Sequence, residues 1–412
     1  MIFLSIGEKI KECRKLYGIK QTAFERYGIT QNYLSLIENG KRVPSQDILK
    51  AIYEGFVELT NEAIKGNYSE FEFCQLQEDK VKLYLIEALK QELWIDQQDK
   101  LIELAKQFNL DDMCYEIYYK LGCNCKDRRL YNQAHVYLQE AAYYALQINK
   151  PVAMLYKIMG SSLKLGLNYE GALACYVMAS QYAIQEGNMT LFYHVKCNIG
   201  TVLFNLSRYE SALECANEVI LKCEDATIYG IAVLLKSNIL MKTECFEEAE
   251  ILLNTFIHQT EVTSHSTYAT YNLGCIYTAQ HQYDKGLEIA LNLLNQEGVD
   301  EDTKKKAVIL VSYMYVNQEQ YKEANEFLQY LRRNFKSVDD DHRIAVWYYK
   351  ISLDIYIALD DKAAIIDLLN YLKEMLNCNQ IQPEQFIEVQ NKFLNYIIKK
   401  NHLEGYDRLD LS

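Results

Sequence analysis

Chain breakers are scarce in this sequence: its 412 residues include only 3 Pro and 17 Gly. That shortage excludes a loop-rich β-sandwich and a collagen-like rod, while the length exceeds what a single small core requires. No run of 18 apolar residues occurs, so no membrane-spanning helix is expected. The opening MIFLSIGEKIKECRK has too short an apolar stretch for a signal peptide, and its cations follow the apolar residues instead of preceding them. The expected location is the cytoplasm, where the 12 Cys stay as thiols. Phosphate-cradling GxxxxGKS and GxGxxG loops are missing, as are HExxH and GxSxG. The 7 His form no HxxxH pair. Cys114, Cys123 and Cys125 lack the paired CxxC spacing of a zinc ribbon, and buried or groove thiols are the expected state. The expectation is a non-enzyme with no catalytic residues, no metal and no cofactor.

What is present describes a folded, acidic protein. Apolar residues make up 50% of the chain and charged ones 24%, outside the range of a disordered segment. The net charge is −13, which argues against nucleic-acid binding over the whole surface. Its distribution is uneven: residues 1–66 carry 10 Lys and Arg against 8 Asp and Glu, whereas the remainder carries 33 against 48. A slightly basic N-terminal module on an acidic body fits a small DNA reader joined to a domain of another purpose.

The first 66 residues read as four short helices. Ser5-Ile-Gly-Glu8 has the form of a capping box, and Ile6, Ile10, Cys13 and Leu16/Tyr17 recur at helical spacing over about 6–17, ended by Gly18. A second helix spans about 20–27, with Gly28-Ile29 as a tight turn. Thr30 then caps a third, Gln31 to Glu38, whose Leu34 and Ile37 point inward and whose Gln31, Asn32 and Ser35 point outward. Asn39-Gly40 stops it, and a fourth helix begins near Pro44-Ser45. The string IGEKIKECRKLYGIKQTAFERYGITQNYLSLIENGKRVPS resembles the phage-repressor/Cro-like (XRE) helix-turn-helix class, most closely over YLSLIENGKRVPS. From Gln21 to Gly28 the second helix is a residue shorter than that pattern. The resemblance implies that Gln31 and Asn32 pair with adenine edges in the major groove, with Ser35 one turn on. It places Gln21, Asn39, Lys41 and Arg42 where phosphates are clamped; Thr30 and Tyr33 complete the candidate DNA-contacting set.

From about residue 115 the sequence repeats. The anchors Gly122, Gly160, Gly200, Ser237, Gly274, Ser312 and Ser352 lie 37–40 residues apart. Nine residues after each stands Tyr131, Tyr169, Tyr209, Phe246, Tyr283, Tyr321 or Asp361; twelve after, Ala134, Ala172, Ala212, Ala249, Gly286, Ala324 or Ala364. This predicts an antiparallel helix pair per repeat, with the anchor where helix A crosses helix B and the aromatic near the turn between them. The pattern resembles the tetratricopeptide repeat, with longer helices and no Pro at the repeat end. The expected fold is all-α: an N-terminal helix-turn-helix domain (1–66), a linker (67–77) and a right-handed α-solenoid of tetratricopeptide-like pairs (78–412), seven of them clear over 115–372. Residues 78–112 read as a degenerate first pair and 383–408 as a closing pair.

Sorting helix-A positions by face puts those at −6, −3, −2, +1, +4 and +5 from each anchor in the groove. They carry seven Lys and two acids, together with five Asn able to hold an extended peptide's amides. The candidate peptide-contacting residues are Lys157, Lys164, His194, Asn198, Thr201, Phe204, Asn205, Asn238, Lys242, Tyr268, Tyr271, Asn272, Tyr313 and Asn317. The whole arrangement resembles the peptide-pheromone-sensing regulators of the Rap–Rgg–NprR–PlcR–PrgX group, its NprR-like branch in particular. That resemblance implies a homodimer, paired through the repeats, that binds a short signalling peptide and thereby controls binding to a palindromic double-stranded DNA operator. The alternative is a Rap-like module that sequesters or dephosphorylates a response-regulator partner.

Overall fold

The structure, a computed structural model, describes residues 4–260, 263–335, 342–377 and 383–400. Helices follow one another with no strand among the described residues. Two units divide the chain, Met1–Gly187 and Asn188–Ser412. No described helix is long and apolar enough to cross a membrane.

The first unit opens with α1 (Ile6–Leu16), a 3-10 helix (Gln21–Tyr27), α2 (Gln31–Glu38) and α3 (Gln46–Leu59). The Ser5/Glu8 capping box forms as expected, and Gly18 and Gly28 adopt the left-handed conformation that ends the first two elements. The second element is 3-10 instead of α. Its larger rise per residue, about 2.0 against 1.5 Å, lets a helix one residue short span the distance from α1 to α2. Ile10, Phe24, Leu34, Leu49, Ile52 and Phe56 are fully buried at its centre. At Gly7 a Cβ would stand 2.1 Å from the Ile37 carbonyl oxygen, so only glycine lets α1 cross α2 at this depth.

Residues 67–77, expected as a linker, instead close this core. Ser69 starts a second capping box with Glu72, and α4 (Glu70–Cys74) drives Phe73, fully buried, against Phe56 with ring centroids 5.5 Å apart. Lys9 of α1 is 1% exposed, and its Nζ donates to the carbonyls of Glu72, Phe73 and Gln75 at 2.8–3.0 Å. These are the carbonyls that the end of α4 leaves without helical partners, and a lysine ammonium has three donors to give. Burial and the neighbouring Lys80 push the Lys9 ammonium down to about 7.

Beyond α5 (Gln77–Ala88), a 3-10 turn and α6 (Gln98–Gln107), the unit continues as α7 (Asp111–Asp127) with α8 (Tyr131–Gln147) and α9 (Ala153–Leu165) with α10 (Tyr169–Gln185). The second unit pairs α11 (Met189–Asn205) with α12 (Tyr209–Lys222) and α13 (Ala226–Lys242) with α14 (Phe246–Gln259). It goes on with α15 (Thr263–Ala279) and α16 (Tyr283–Asn295), α17 (Glu301–Asn317) and α18 (Tyr321–Asn334), and α19 (His342–Ala358) and α20 (Lys362–Asn377). A single helix, α21 (Pro383–Lys400), follows; the rest of the expected closing pair, 401–408, lies outside the described residues.

Each anchor sits at a crossing. A Cβ on Gly122 would lie 2.5 Å from Leu138 Cγ and one on Gly160 2.8 Å from the Tyr176 ring, both on helix B, while one on Gly200 would lie 3.2 Å from Cys215 Cβ of α12 and 2.6 Å from Leu235 Cδ2 of α13, the next helix A. Where the anchor is Ser237, Ser312 or Ser352, the buried hydroxyl returns a hydrogen bond of 2.8–3.0 Å to its own helix. Six B helices begin on the predicted aromatic. The seventh pair departs: α19 runs one residue further past its anchor, to Ala358, so α20 starts at Lys362, and fully buried Ile365, not Ala364, fills the small-residue position. All seven A–B turns share one geometry. Arg129, Leu167, Ser207, Glu244, His281, Glu319 and Asp360 take positive φ, and the next residue's N–H reaches back to the helix at 2.8–2.9 Å.

Two outcomes follow. Gly122→Ala lowers the unfolding free energy by about 1–3 kcal/mol through overpacking against Leu138, whereas Gly66→Ala, with nothing near its Cβ, leaves it unchanged; urea denaturation checks both. Because the folded state holds Lys9 below its unfolded value, the unfolded chain binds more protons between about 7 and the usual lysine range. Stability of the N-terminal core therefore rises as the pH goes from 7 to 9, and is lost as it falls back towards 7. Thermal melts across that range show the slope, which Lys9→Met removes.

Candidate DNA-reading face and repeat groove

The outward face of α2 is built by what its inward face holds. Glu38 follows Leu34 and Ile37 on the buried side, with its side chain 2% exposed. A buried carboxylate needs donors on both oxygens. Arg14 of α1 supplies them, Nε at 2.7 Å and Nη2 at 2.9 Å, and Gln21 Nε2 adds a third at 2.9 Å. Arg14 Nη1 also donates to the Ile19 carbonyl at 3.1 Å. This ties α1, the 3-10 helix and α2 into one rigid body. Gln21, expected at a phosphate, is turned inward because the Glu38 carboxylate draws its amide. Arg14 and Glu38 were not among the sequence candidates; the available signal was an acid in register with the apolar face of α2.

Thr30 caps α2, its hydroxyl accepting from the Tyr33 N–H at 3.3 Å. Gln31 and Asn32 are exposed on the first turn. Ser35 and Asn39 are brought together at the other end, where the Asn39 amide donates to the Ser35 carbonyl at 2.8 Å and satisfies a terminal acceptor. Lys41 and Arg42 are exposed just beyond, and the Arg42 guanidinium lies 5.4 Å from the Tyr33 ring centroid. Two free amides at the helix start and two cations past its end therefore share one surface, while Gln21 and Asn39 are engaged in holding the element.

The repeat stripe is narrower than the six positions expected. In the second unit the −3 position is buried at Cys197, Tyr271, Ile309 and Tyr349, and −2 at Leu235, Asn272 and Leu310. These side chains pack between consecutive A helices instead of facing open space. Asn272 is 2% exposed and donates to Ser237 Oγ and Asn238 Oδ1, both at 3.1 Å. Burial holds the Tyr271 hydroxyl far above its ordinary range. Asn205 and Asn317 donate to carbonyls of their own helices, Thr201 and Tyr313, at 2.9 and 2.7 Å. Of the −6, +1, +4 and +5 positions, Thr278 and Leu353 are buried as well, and the candidates that stay at least partly open are His194, Thr201 and Phe204 on α11, Asn238 and Lys242 on α13, Tyr268 on α15 and Tyr313 on α17. Asn198 remains half-buried. The positive excess also shrinks: Lys306 pairs with Asp302 at 2.5 Å and lies 5.0 Å from the Tyr268 ring, and in the first unit Lys120 donates to the Leu89 carbonyl. There Lys157 and Lys164 on α9 are half-buried, and burial lowers the Lys157 ammonium. Cys114, Cys123 and Cys125 have thiols raised by burial, which disfavours the thiolate that a metal requires.

A helix-turn-helix module followed by tetratricopeptide-like helix pairs is the class these elements define. Residues 10–56 match the helix-turn-helix family, and with the XRE-type features above that is what the N-terminal domain is. Among solved structures, the apo form of RapI is similar at 13% identity and a TM-score of 0.52, over 92% of this chain and 99% of that one. The apo quorum sensor NprR from B. thuringiensis aligns with 86% of this chain and 97% of its own, at 13% identity and a TM-score of 0.49. A tetratricopeptide repeat protein from Parabacteroides merdae aligns with 67% and 97%, at 14% identity and 0.48. No curated sequence matches. The architecture is the one implied by the resemblance to the Rap–Rgg–NprR–PlcR–PrgX group, and RapI shares its fold.

On this surface Gln31→Ala with Asn32→Ala costs about 1–3 kcal/mol of base discrimination for each bidentate pair removed. Lys41→Ala or Arg42→Ala weakens all sequences alike and reduces the salt slope by about 1. Titrations on selected and scrambled duplexes at several salt concentrations separate the two.

Proposed function

We propose that this protein is a cytoplasmic transcription regulator whose helix-turn-helix domain reads a palindromic DNA operator as part of a homodimer, under the control of a short peptide bound along the repeats. The observation that carries the reading is the pairing, in one chain, of a recognition helix with two exposed amides and a repeat array with an open polar stripe. Helix-turn-helix modules make few base contacts singly, and two joined on half-sites about 34–36 Å apart gain affinity through effective concentration.

On the repeats, Thr201, Asn238 and Tyr313 recur at the same +1 position on successive or nearby A helices. A hydroxyl, an amide and a phenol at that interval offer hydrogen bonds along an extended backbone, and Phe204 and Tyr268 offer apolar contact beside them. Lys242 supplies a cation for the peptide's carboxylate. Lys157 and Lys164 extend the same positional pattern on the first unit. The test is calorimetry with short synthetic peptides encoded by a small reading frame beside the gene, followed by operator titration with and without peptide. Tyr313→Ala and Thr201→Ala each lower peptide affinity by roughly 1–3 kcal/mol. Asn272→Ala lowers the melting temperature instead, because its amide is internal. Unchanged affinity in both groove variants, or no DNA sequence enriched by the intact protein, refutes the reading.

A further inference from the structure

Within the second unit, α18, α19 and α20 wall an open slot of about 720 Å³ that contains none of the candidate DNA-contacting or peptide-contacting residues. Along α19 it runs two helical turns, from Tyr349 to Tyr356, with only the small anchor Ser352 on that face between them. Tyr348 and Tyr349 are buried in its floor and Tyr356 is half-buried. Tyr371 of α20 is 38% exposed, its ring centroid 5.8 Å from that of Tyr349. The equivalent place beside α13 and α14 encloses only about 260 Å³. There Glu248 reaches Lys236 at 3.7 Å, and the ion pair occupies the opening. On α20 the one-residue shift puts Ala364 where Glu248 stands on α14, and Asp367 and Tyr371 where Ile251 and Thr255 stand. The slot widens accordingly, to the size that small-molecule sites have.

Two charges line the slot, and among the described residues neither has an ion-pair partner. The Arg332 guanidinium of α18 lies 5.1 Å from the centroid of the Tyr348 ring, a contact that orients it. Asp367 stands on the other wall, one turn along α20 from Tyr371. At roughly 1.5 Å per residue that turn displaces it by about 6 Å from the level of Tyr349. An amino acid, with its amine and carboxylate on one carbon, does not reach both. A mononucleotide does, because its anion and its ring N–H donors lie at opposite ends. Arginine matches phosphate oxygens in a fork, and aromatic faces hold a base by stacking. A carboxylate only accepts hydrogen bonds. It therefore suits guanine, whose Watson–Crick edge sets an N–H beside an NH2, over adenine, whose amino group is followed by an acceptor. We propose that this slot binds a guanine mononucleotide, its base against the tyrosines with its donor edge on Asp367, and its phosphate on Arg332. The site stands apart from the proposed function and requires neither peptide nor DNA.

The experiment titrates the full chain by calorimetry with guanosine monophosphate, beside adenosine monophosphate, guanosine and inorganic phosphate. Saturable one-to-one binding of guanosine monophosphate is expected, about ten-fold or more tighter than that of adenosine monophosphate or guanosine, with no measurable binding of phosphate alone. Arg332→Gln is expected to bring the nucleotide down to the affinity of guanosine. Asp367→Asn is expected to remove the preference for guanine over adenine, and Tyr371→Ala to weaken both nucleotides roughly ten-fold. Ala364→Glu, which gives α20 the acid that α14 carries in the same place, is expected to block the slot. Circular dichroism melts establish that the variants fold; Arg332 and Asp367 are exposed, so their variants carry the test if Ala364→Glu does not fold. No saturable binding of guanosine monophosphate, equal affinity for adenosine monophosphate, or binding unchanged in folded Arg332→Gln and Asp367→Asn overturns the proposal.

Discussion

The repeat array depends on one constraint, the depth to which helix A sinks onto helix B. At Gly122 and Gly160 the space where a Cβ would stand is already taken by a leucine or tyrosine from helix B, and at Gly200 by Leu235 of the next helix A. That approach sets how closely neighbouring helices pack, and the packing sets which residues of helix A remain for the open side. Serine serves at Ser237, Ser312 and Ser352 because its hydroxyl folds back on a carbonyl of its own helix, and at Ser237 the same oxygen also accepts from Asn272 of the next helix A. Crossing depth, in this chain, comes before any question of ligand.

The N-terminal domain solves a related problem with polar atoms. Its recognition helix must be rigid yet present its outer face bare. The Arg14–Glu38–Gln21 network achieves this by using buried charge to fix the orientation of three elements. Removing Arg14 would leave the buried Glu38 carboxylate with Gln21 alone, so the network is a stiff joint and not a reserve of stability. Lys9 has the same role in a deeper layer, where it caps α4 from α1.

Much of this was legible in the sequence, and the failures have physical causes. Small anchors and aromatics at fixed intervals gave the helix pairs, because close crossings tolerate few residue types. The capping box at Ser5 and the string around Gln31 gave the helix-turn-helix. The segment 67–77 misled because a short helix with a single buried Phe73 leaves no periodicity to read; its role emerges only with Phe56 and Lys9 in place. Gln21 misled because an amide on an exposed-looking position had a buried acid within reach. The groove assignment was too broad: spacing reports which residues share a helix face, but whether −3 and −2 look outward depends on how closely consecutive A helices pack. That closeness is what buries Tyr271 and Asn272.

The A–B turns were hidden for another reason. Left-handed turns are ordinarily announced by glycine, and here the seven residues are Arg, Leu, Ser, Glu, His, Glu and Asp. The turn itself is closed by backbone hydrogen bonds, so closing it requires nothing of the side chain but tolerance of a conformation that costs a non-glycine residue about 1–2 kcal/mol. Some of these side chains have nonetheless taken up contacts of their own, Ser207 with Tyr209, His281 with Tyr283, and Asp360 with the Tyr396 hydroxyl of α21 at 3.0 Å. At Leu167, Glu244 and Glu319 sequence drift can act through the backbone cost alone, and each such turn is a trimming weight on the array's resistance to unfolding.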